Sequence, residues 1–195
     1  RNEPDINIKK YDICLISSDG RRDPDLIKDQ NIRKIALENR KIDLLIKKYY
    51  EENNIKLIIA LSPGTNHEKE YFRGLFGNDI EFSEIINPLS SYQLLQECNL
   101  AVSFMSTMLI EALALNCKSM AIHFQTETDF FDYPNEIIHI YNDYGSFSKS
   151  LSILLNMDNA LYQKSIAEIK NNIINNNPKN PPHNIIKNHI SRILN

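Results

Sequence analysis

The sequence predicts an α/β fold built on a doubly wound, mostly parallel sheet of about six strands with helices on both faces. Three observations predict it. The run YDICLIS at 11–17 is almost continuously apolar, as a strand is when both faces of its sheet are covered. The segment 29–53 repeats apolar residues mostly every three or four positions, among them Ile32, Ile35, Leu37, Ile42, Leu45, Ile46 and Tyr49, which is the period of a helix packed on one side. A second apolar run, IKLIIALS at 55–62, completes a strand–helix–strand unit, and the alternation continues along the chain.

Each later element has its own signal. SSDGRRDPD, with Gly20 and Pro24, is the polar turn that ends the first strand. After the second strand, SPGTNH turns into a short helix, EKEYFRGLFG, closed by Gly77, and DIEFSEI at 79–85 is expected as the third strand. SSYQLLQECN, 90–99, reads as a helix with Ser90 or Ser91 at its N-cap and Leu94, Leu95 and Cys98 on its buried stripe. LAVSF, 100–104, is the fourth strand and runs into a helix that begins at Ser106 or Thr107 and ends near Asn116, a residue that tolerates the left-handed cap position. KSMAIHF, 118–124, and EIIHIY, 136–141, supply the last two strands, and helices at 146–156 and 159–175 close the body. A Pro/Asn hinge, NNNPKNPPH, then leads to an amphipathic segment at 184–194. The expected organisation is one domain over 1–177 and a C-terminal helical tail over 178–195.

Composition excludes several classes. A chain of 195 residues is ample for a real core. With 22 basic against 25 acidic residues the net charge is -3, and the lysines and arginines near the start are interleaved with Asp and Glu, so no nucleic-acid partner is expected. Cys14, Cys98 and Cys117 are too scattered for a disulfide framework or a zinc site and read as buried free thiols of a reducing compartment. No apolar run is long enough to span a bilayer and no signal peptide is visible, which predicts a cytoplasmic location, with the inner face of the membrane compatible. The first residues, RNEPD, lack an initiator Met and suggest a processed product or an excised fragment. Neither G-x-G-x-x-G after the first strand nor G-x-x-x-x-G-K-[ST] is present, which disfavours dinucleotide-binding and P-loop classes.

Ligands of doubly wound sheets bind beyond the carboxyl ends of the strands, and that rule selects the loops 17–25, 62–68, 86–91 and 104–107. In the last of these, Ser106 and Thr107 stand at a helix start whose first amides and dipole would suit a phosphate, while Glu111 lies one turn on, on the face of Thr107. The plainer alternative is a capping hydroxyl with Glu111 paired to a backbone amide or to Lys118. Ser62, Gly64 and Thr65 could bring backbone amides close to an anion, and His67 could bind phosphate or assist proton transfer, although Pro63-Gly64 also makes an ordinary turn and a loop histidine is usually solvated. Ser17 and Gly20 end the first strand with Arg21 and Arg22 beside them, which suits phosphate attraction as well as a solvated charge network with Asp19, Asp23 and Asp25. Pro88 fixes the chain path at the third strand end. The acidic residues of TETDFFDYP, 126–134, have no diagnostic metal spacing, and no metal ligands are assigned.

The stretch SSYQLLQECNLAVSFMSTMLIEALALNCKSMAI resembles the nucleotide-sugar-binding, carboxy-terminal half of GT-B type glycosyltransferases, above all those of bacterial surface-polysaccharide and lipopolysaccharide biosynthesis. Tyr92 to Gln96 match a helix of that pattern, Ser103 the strand end, Ser106 and Thr107 the phosphate-binding helix start, and Glu111-Ala112 the Glu-Ala pair. Asn116 stands where the family usually has Gly. The resemblance implies one Rossmann-like half of a GT-B architecture, with the tail packing on an amino-terminal half that 195 residues cannot also contain. It implies a nucleotide-sugar donor, whose leaving-group phosphate meets Ser106, Thr107 and Gly64 and whose ribose meets Glu111, and a glycan or lipid-linked acceptor held by the other half. Arg21 and His67 are the catalytic candidates; Ser17, Gly20, Ser62, Gly64, Thr65, Pro88, Ser106, Thr107 and Glu111 are the donor-binding ones. No cofactor or metal is expected, the isolated lobe is expected to be inactive, and peripheral membrane association of a full-length enzyme is compatible with the reading.

A looser similarity links Asp19-Gly20 and Ser106-Thr107 to motifs of bacterial sialyltransferases, but Asn87-Pro88 has Asn where that pattern has His, so the nucleotide stays open. Two alternatives stand beside the transferase lobe: a nucleotide-sugar epimerase lobe, with His67, Asp19 and Glu68 as acid/base candidates, and a noncatalytic module binding a nucleotide or a partner.

Overall fold

The computed structural model describes residues 9–17, 24–62, 67–83, 90–124, 134–141 and 143–173. Six parallel strands form one sheet in the order β3-β2-β1-β4-β5-β6, with β1 Tyr11–Ile16, β2 Leu57–Ala60, β3 Glu81–Phe82, β4 Cys98–Ser103, β5 Lys118–His123 and β6 Ile138–Ile140. The strands run outward from β1 to β3 and then, after a jump back, from β4 to β6. The order therefore reverses between β1 and β4. Ile13 sits at the centre, in register with Leu57 of β2 and Leu100 of β4. Ile13, Cys14 and Leu15 are wholly buried, which explains why β1 is apolar without alternation.

Helices cover both faces of this sheet. Helix α1, Gln30–Glu52, connects β1 to β2. Asp29 starts it by accepting the amides of Asn31 and Ile32 at 2.8 and 3.1 Å, a cap that stabilises a helix by about 1 kcal/mol. Its inward stripe includes Ala36, Ile42, Ile46 and Tyr49. Against it lie α2, Glu68–Phe76, through Tyr50 on Phe76, and α5, Tyr144–Asn156, through the edge-on contact of Tyr49 with Phe147 and the 2.9 Å hydrogen bond between Tyr49 Oη and Ser152 Oγ. Helices α3, Ser90–Glu97, and α4, Met108–Ala114, pack together, α4 against β5, where Ser119 Oγ donates to the Leu109 carbonyl. Two stops follow backbone chemistry. Gly77 closes α2 at φ 99°, and Asn116 follows α4 at φ 59°, the left-handed conformation expected of it.

Some boundaries differ from the sequence reading. The expected helix over 159–175 is two helices, α6 Asn159–Ser165 and α7 Ala167–Ile173. Ile166 leaves helical geometry between them, at φ -104° and ψ 4°, and Ser165 Oγ donates to the Tyr162 carbonyl, a local bond that competes with the helical ladder. Ser90 is the first residue of α3 and does not stand before it as a cap. The fourth helix begins at Met108, one residue beyond the later of its two expected starts. Edge strands are shorter than predicted, with β6 reduced to three residues behind a turn at 135–137. The hinge and the tail over 178–195 lie outside the described residues.

The three cysteines are free and buried, as expected, and burial pushes the Cys117 thiol up to about 12. No described helix is long and apolar enough to cross a membrane. Lys118, at the start of β5, is 2% exposed and donates to the carbonyls of Leu154, Leu155 and Met157 at 2.8, 3.3 and 2.5 Å. It thereby satisfies the C-terminal carbonyls of α5 and ties that helix to the sheet.

Candidate functional site

The strand order reverses between β1 and β4, and beyond the carboxyl ends of strands at such a reversal doubly wound sheets bind their ligands. Three serines frame this edge. Ser17 follows β1, with its amide on the Ala60 carbonyl at 2.8 Å, and Ser62 follows β2 and donates its hydroxyl to the Ser17 carbonyl, also at 2.8 Å. Ser103 ends β4, is wholly buried and donates across the reversal to the Ile16 carbonyl at 3.1 Å. These bonds satisfy backbone groups at the strand ends, where the ladder of the sheet stops.

Ser17 itself is 2% exposed, and its hydroxyl donates to Glu68, a fully buried carboxylate in the first turn of α2. A buried carboxylate needs such partners, and its place in a first turn is favoured by the helix dipole. The Ser17 hydroxyl therefore holds α2 against the end of β1. His67, immediately before, is exposed and makes no capping bond at the helix start.

After β4 the chain passes through Phe104 and Met105 to Ser106 and Thr107. Ser106 is half-buried, and its hydroxyl accepts the Met108 amide at 3.3 Å while its carbonyl accepts that of Leu109. The amides of Ile110 and Glu111 both go to the Thr107 carbonyl. This corrects the expectation of unpaired amides over the first turn of α4, because the tight turn at Ser106 and Thr107 uses them within the chain. Thr107 is exposed and its hydroxyl caps nothing.

Glu111 follows Thr107 by one turn, so the two share a face. It is half-buried, and its carboxylate has no hydrogen-bond or ion-pair partner among the described residues. The pairing with Lys118 offered as an alternative does not occur, since that ammonium is occupied by the three carbonyls of α5. The structure thus brings Ser17, Ser62, His67, Ser106, Thr107 and Glu111 to the carboxyl edge. Gly20, Arg21, Gly64, Thr65 and Pro88 lie outside the described residues. Sequence reasoning missed the pairing of Ser17 with Glu68 and the cross-strand bond of Ser103; the only signal for either was a polar residue beside an apolar run. No cluster of His, Cys, Asp or Glu suited to a metal occurs among the described residues.

The strand order and the alternation of strands and helices define a doubly wound α/β domain of the Rossmann-like kind. A protein-family model described as "putative O-antigen biosynthesis protein" matches residues 38–180, and the chain belongs to this family. Among solved structures, TarM aligns over 90% of this chain at 14% identity with a TM-score of 0.52, which concerns the fold. The UDP-GlcNAc 2-epimerase of Methanocaldococcus jannaschii, solved in complex with UDP-GlcNAc and UDP, aligns over 76% of this chain at 17% identity with a TM-score of 0.48. The chain spans 34% of the TarM chain and 39% of the epimerase chain. No curated protein matches it.

Proposed function

We propose that this domain is the donor-binding lobe of a glycosyltransferase of O-antigen assembly, holding the nucleotide part of a nucleotide-sugar at the carboxyl edge between β1 and β4. The observation that supports it best is Glu111. Its half-buried side chain has no partner among the described residues, and it stands at the edge where the strand order reverses. The two hydroxyls of a ribose would satisfy it. Thr107, on the same face and exposed, is placed for the adjoining phosphate, with its hydroxyl as donor. Such donors stabilise charge that develops on a leaving phosphate. Membership of an O-antigen biosynthesis family favours sugar transfer, and the acceptor and its base are assigned to a part of the enzyme beyond this lobe.

The test is isothermal titration with UDP-, GDP-, CMP- and CDP-linked sugars. Binding of one nucleotide class that is lost in Thr107→Ala and Glu111→Ala supports the reading. Absence of binding to all four leaves a partner-binding module as the better account. Turnover by the 195-residue chain alone would contradict the assignment of the acceptor base to another part.

A further inference from the structure

We propose that a groove at the amino ends of β1, β4 and β5 is a binding site for a neutral oligosaccharide. It lies at the opposite edge of the sheet from the nucleotide reading and is independent of it. Strands of six residues, such as β4, separate the two edges by about 20 Å. The groove is walled by the last turns of α3 and α5 and by the residues that follow α4, and its volume is about 1490 Å³. That exceeds the roughly 300–1,000 Å³ of a site for one small molecule, so its ligand is extended.

Charge decides against an anion. Lys9, Lys10 and Lys118 line the groove with Asp12, Glu97 and Asp158, three of each sign. The Lys118 ammonium is taken up by the carbonyls that end α5, and Lys9 donates to the Gln96 carbonyl at the end of α3 at 2.6 Å. Both lysines neutralise helix C-termini, and of the three only Lys10 remains for a phosphate. The other polar groups are carboxamides. Gln93, Gln96, Asn99, Asn116 and Asn159 line the same groove, and each side chain of this kind offers two N–H donors and a carbonyl acceptor. A sugar hydroxyl, which donates and accepts at once, is matched by such a group.

Two of the five carboxamides are fixed in place. Asn99 Nδ2 donates to the Leu155 carbonyl at 3.0 Å, and Asn116 Oδ1 accepts from Lys170 on a backbone held at φ 59°. Fixed groups lose little freedom when a ligand arrives. The side chains of Gln93, Gln96 and Asn159 have no partner among the described residues. Leu115, Leu155 and Met157, all half-buried, add apolar surface for the C–H faces of sugar rings. Main chain of a peptide finds no open strand edge here, because β1, β4 and β5 are each paired on both sides.

The test is a heteronuclear NMR titration of the full chain with neutral tetrasaccharides of glucose, galactose, mannose and N-acetylglucosamine. At least one should shift the backbone amide signals of residues lining the groove, with little change between low and high salt. Gln93→Ala with Gln96→Ala, and separately Asn159→Ala, should weaken that binding roughly threefold to tenfold, the loss of one or two neutral hydrogen bonds. All three side chains are exposed, so melting temperatures should match the parent. Glu111→Gln should bind the tetrasaccharide as the parent does, which separates this site from the nucleotide reading. No shift with any of the four overturns the proposal. So does binding that the carboxamide substitutions leave unchanged, a set of shifts centred on Ser106 and Glu111, or tighter binding of a sulfated tetrasaccharide, which would make the groove an anion site.

Discussion

At the scale of single residues, two carboxylates at the same edge have opposite roles. Glu68 is enclosed and bonded to Ser17, so its role is to hold α2 on the strand ends. Glu68→Ala leaves the buried Ser17 hydroxyl without its acceptor and should lower stability by about 1–3 kcal/mol, measured by urea denaturation. Glu111 has no such partner. Glu111→Gln should leave the denaturation midpoint unchanged while weakening nucleotide binding about tenfold or more, the loss expected for a charge-assisted hydrogen bond. The sequence spacing placed Thr107 and Glu111 on one face correctly because i,i+4 geometry is local. What it did not reveal is how the first-turn amides of α4 are used, since that depends on a turn one residue tighter than the pattern suggested.

At the scale of elements, the connection between β5 and α5 rests on Lys118. Removing its ammonium in Lys118→Met strips the donor from three carbonyls at the end of α5, and a loss of about 1–3 kcal/mol is expected, visible as a lower melting temperature. Burial lowers the pKa of this lysine, whose ordinary range is alkaline. His139 on β6 behaves otherwise. Burial lowers its pKa, so the unfolded chain takes up the proton first as pH falls. Its contribution to stability is present above the unfolded value of about 6.5 and is lost as pH falls through the lowered folded value. Denaturation midpoints measured on either side of that window should converge in His139→Gln more than in the parent.

At the scale of the whole molecule, the fold was legible because a parallel sheet buried on both faces leaves short apolar runs separated by helical periods, and YDICLIS, IKLIIALS and LAVSF stand out by that contrast. The two-helix ending was not legible, since Ile166 continues the apolar period of 159–175 while its backbone departs from it. The strand-end rule selected the carboxyl edge as the candidate, but the bonds that build that edge, Ser17 to Glu68 and Ser103 to Ile16, span 51 and 87 positions and have no local signature. The same packing makes a prediction for the thiols: Cys14, Cys98 and Cys117 should resist a thiol reagent in the native protein and react together after denaturation, as buried thiols do.

The central claim is that the carboxyl edge at β1 and β4 receives a nucleotide through Glu111. Calorimetric titration of the parent and of Glu111→Gln with nucleotide-linked sugars tests it most directly. The account predicts saturable binding of one nucleotide class by the parent and binding about tenfold or more weaker by the variant at equal stability; equal affinity in the two proteins, or no binding by a folded parent, would contradict it.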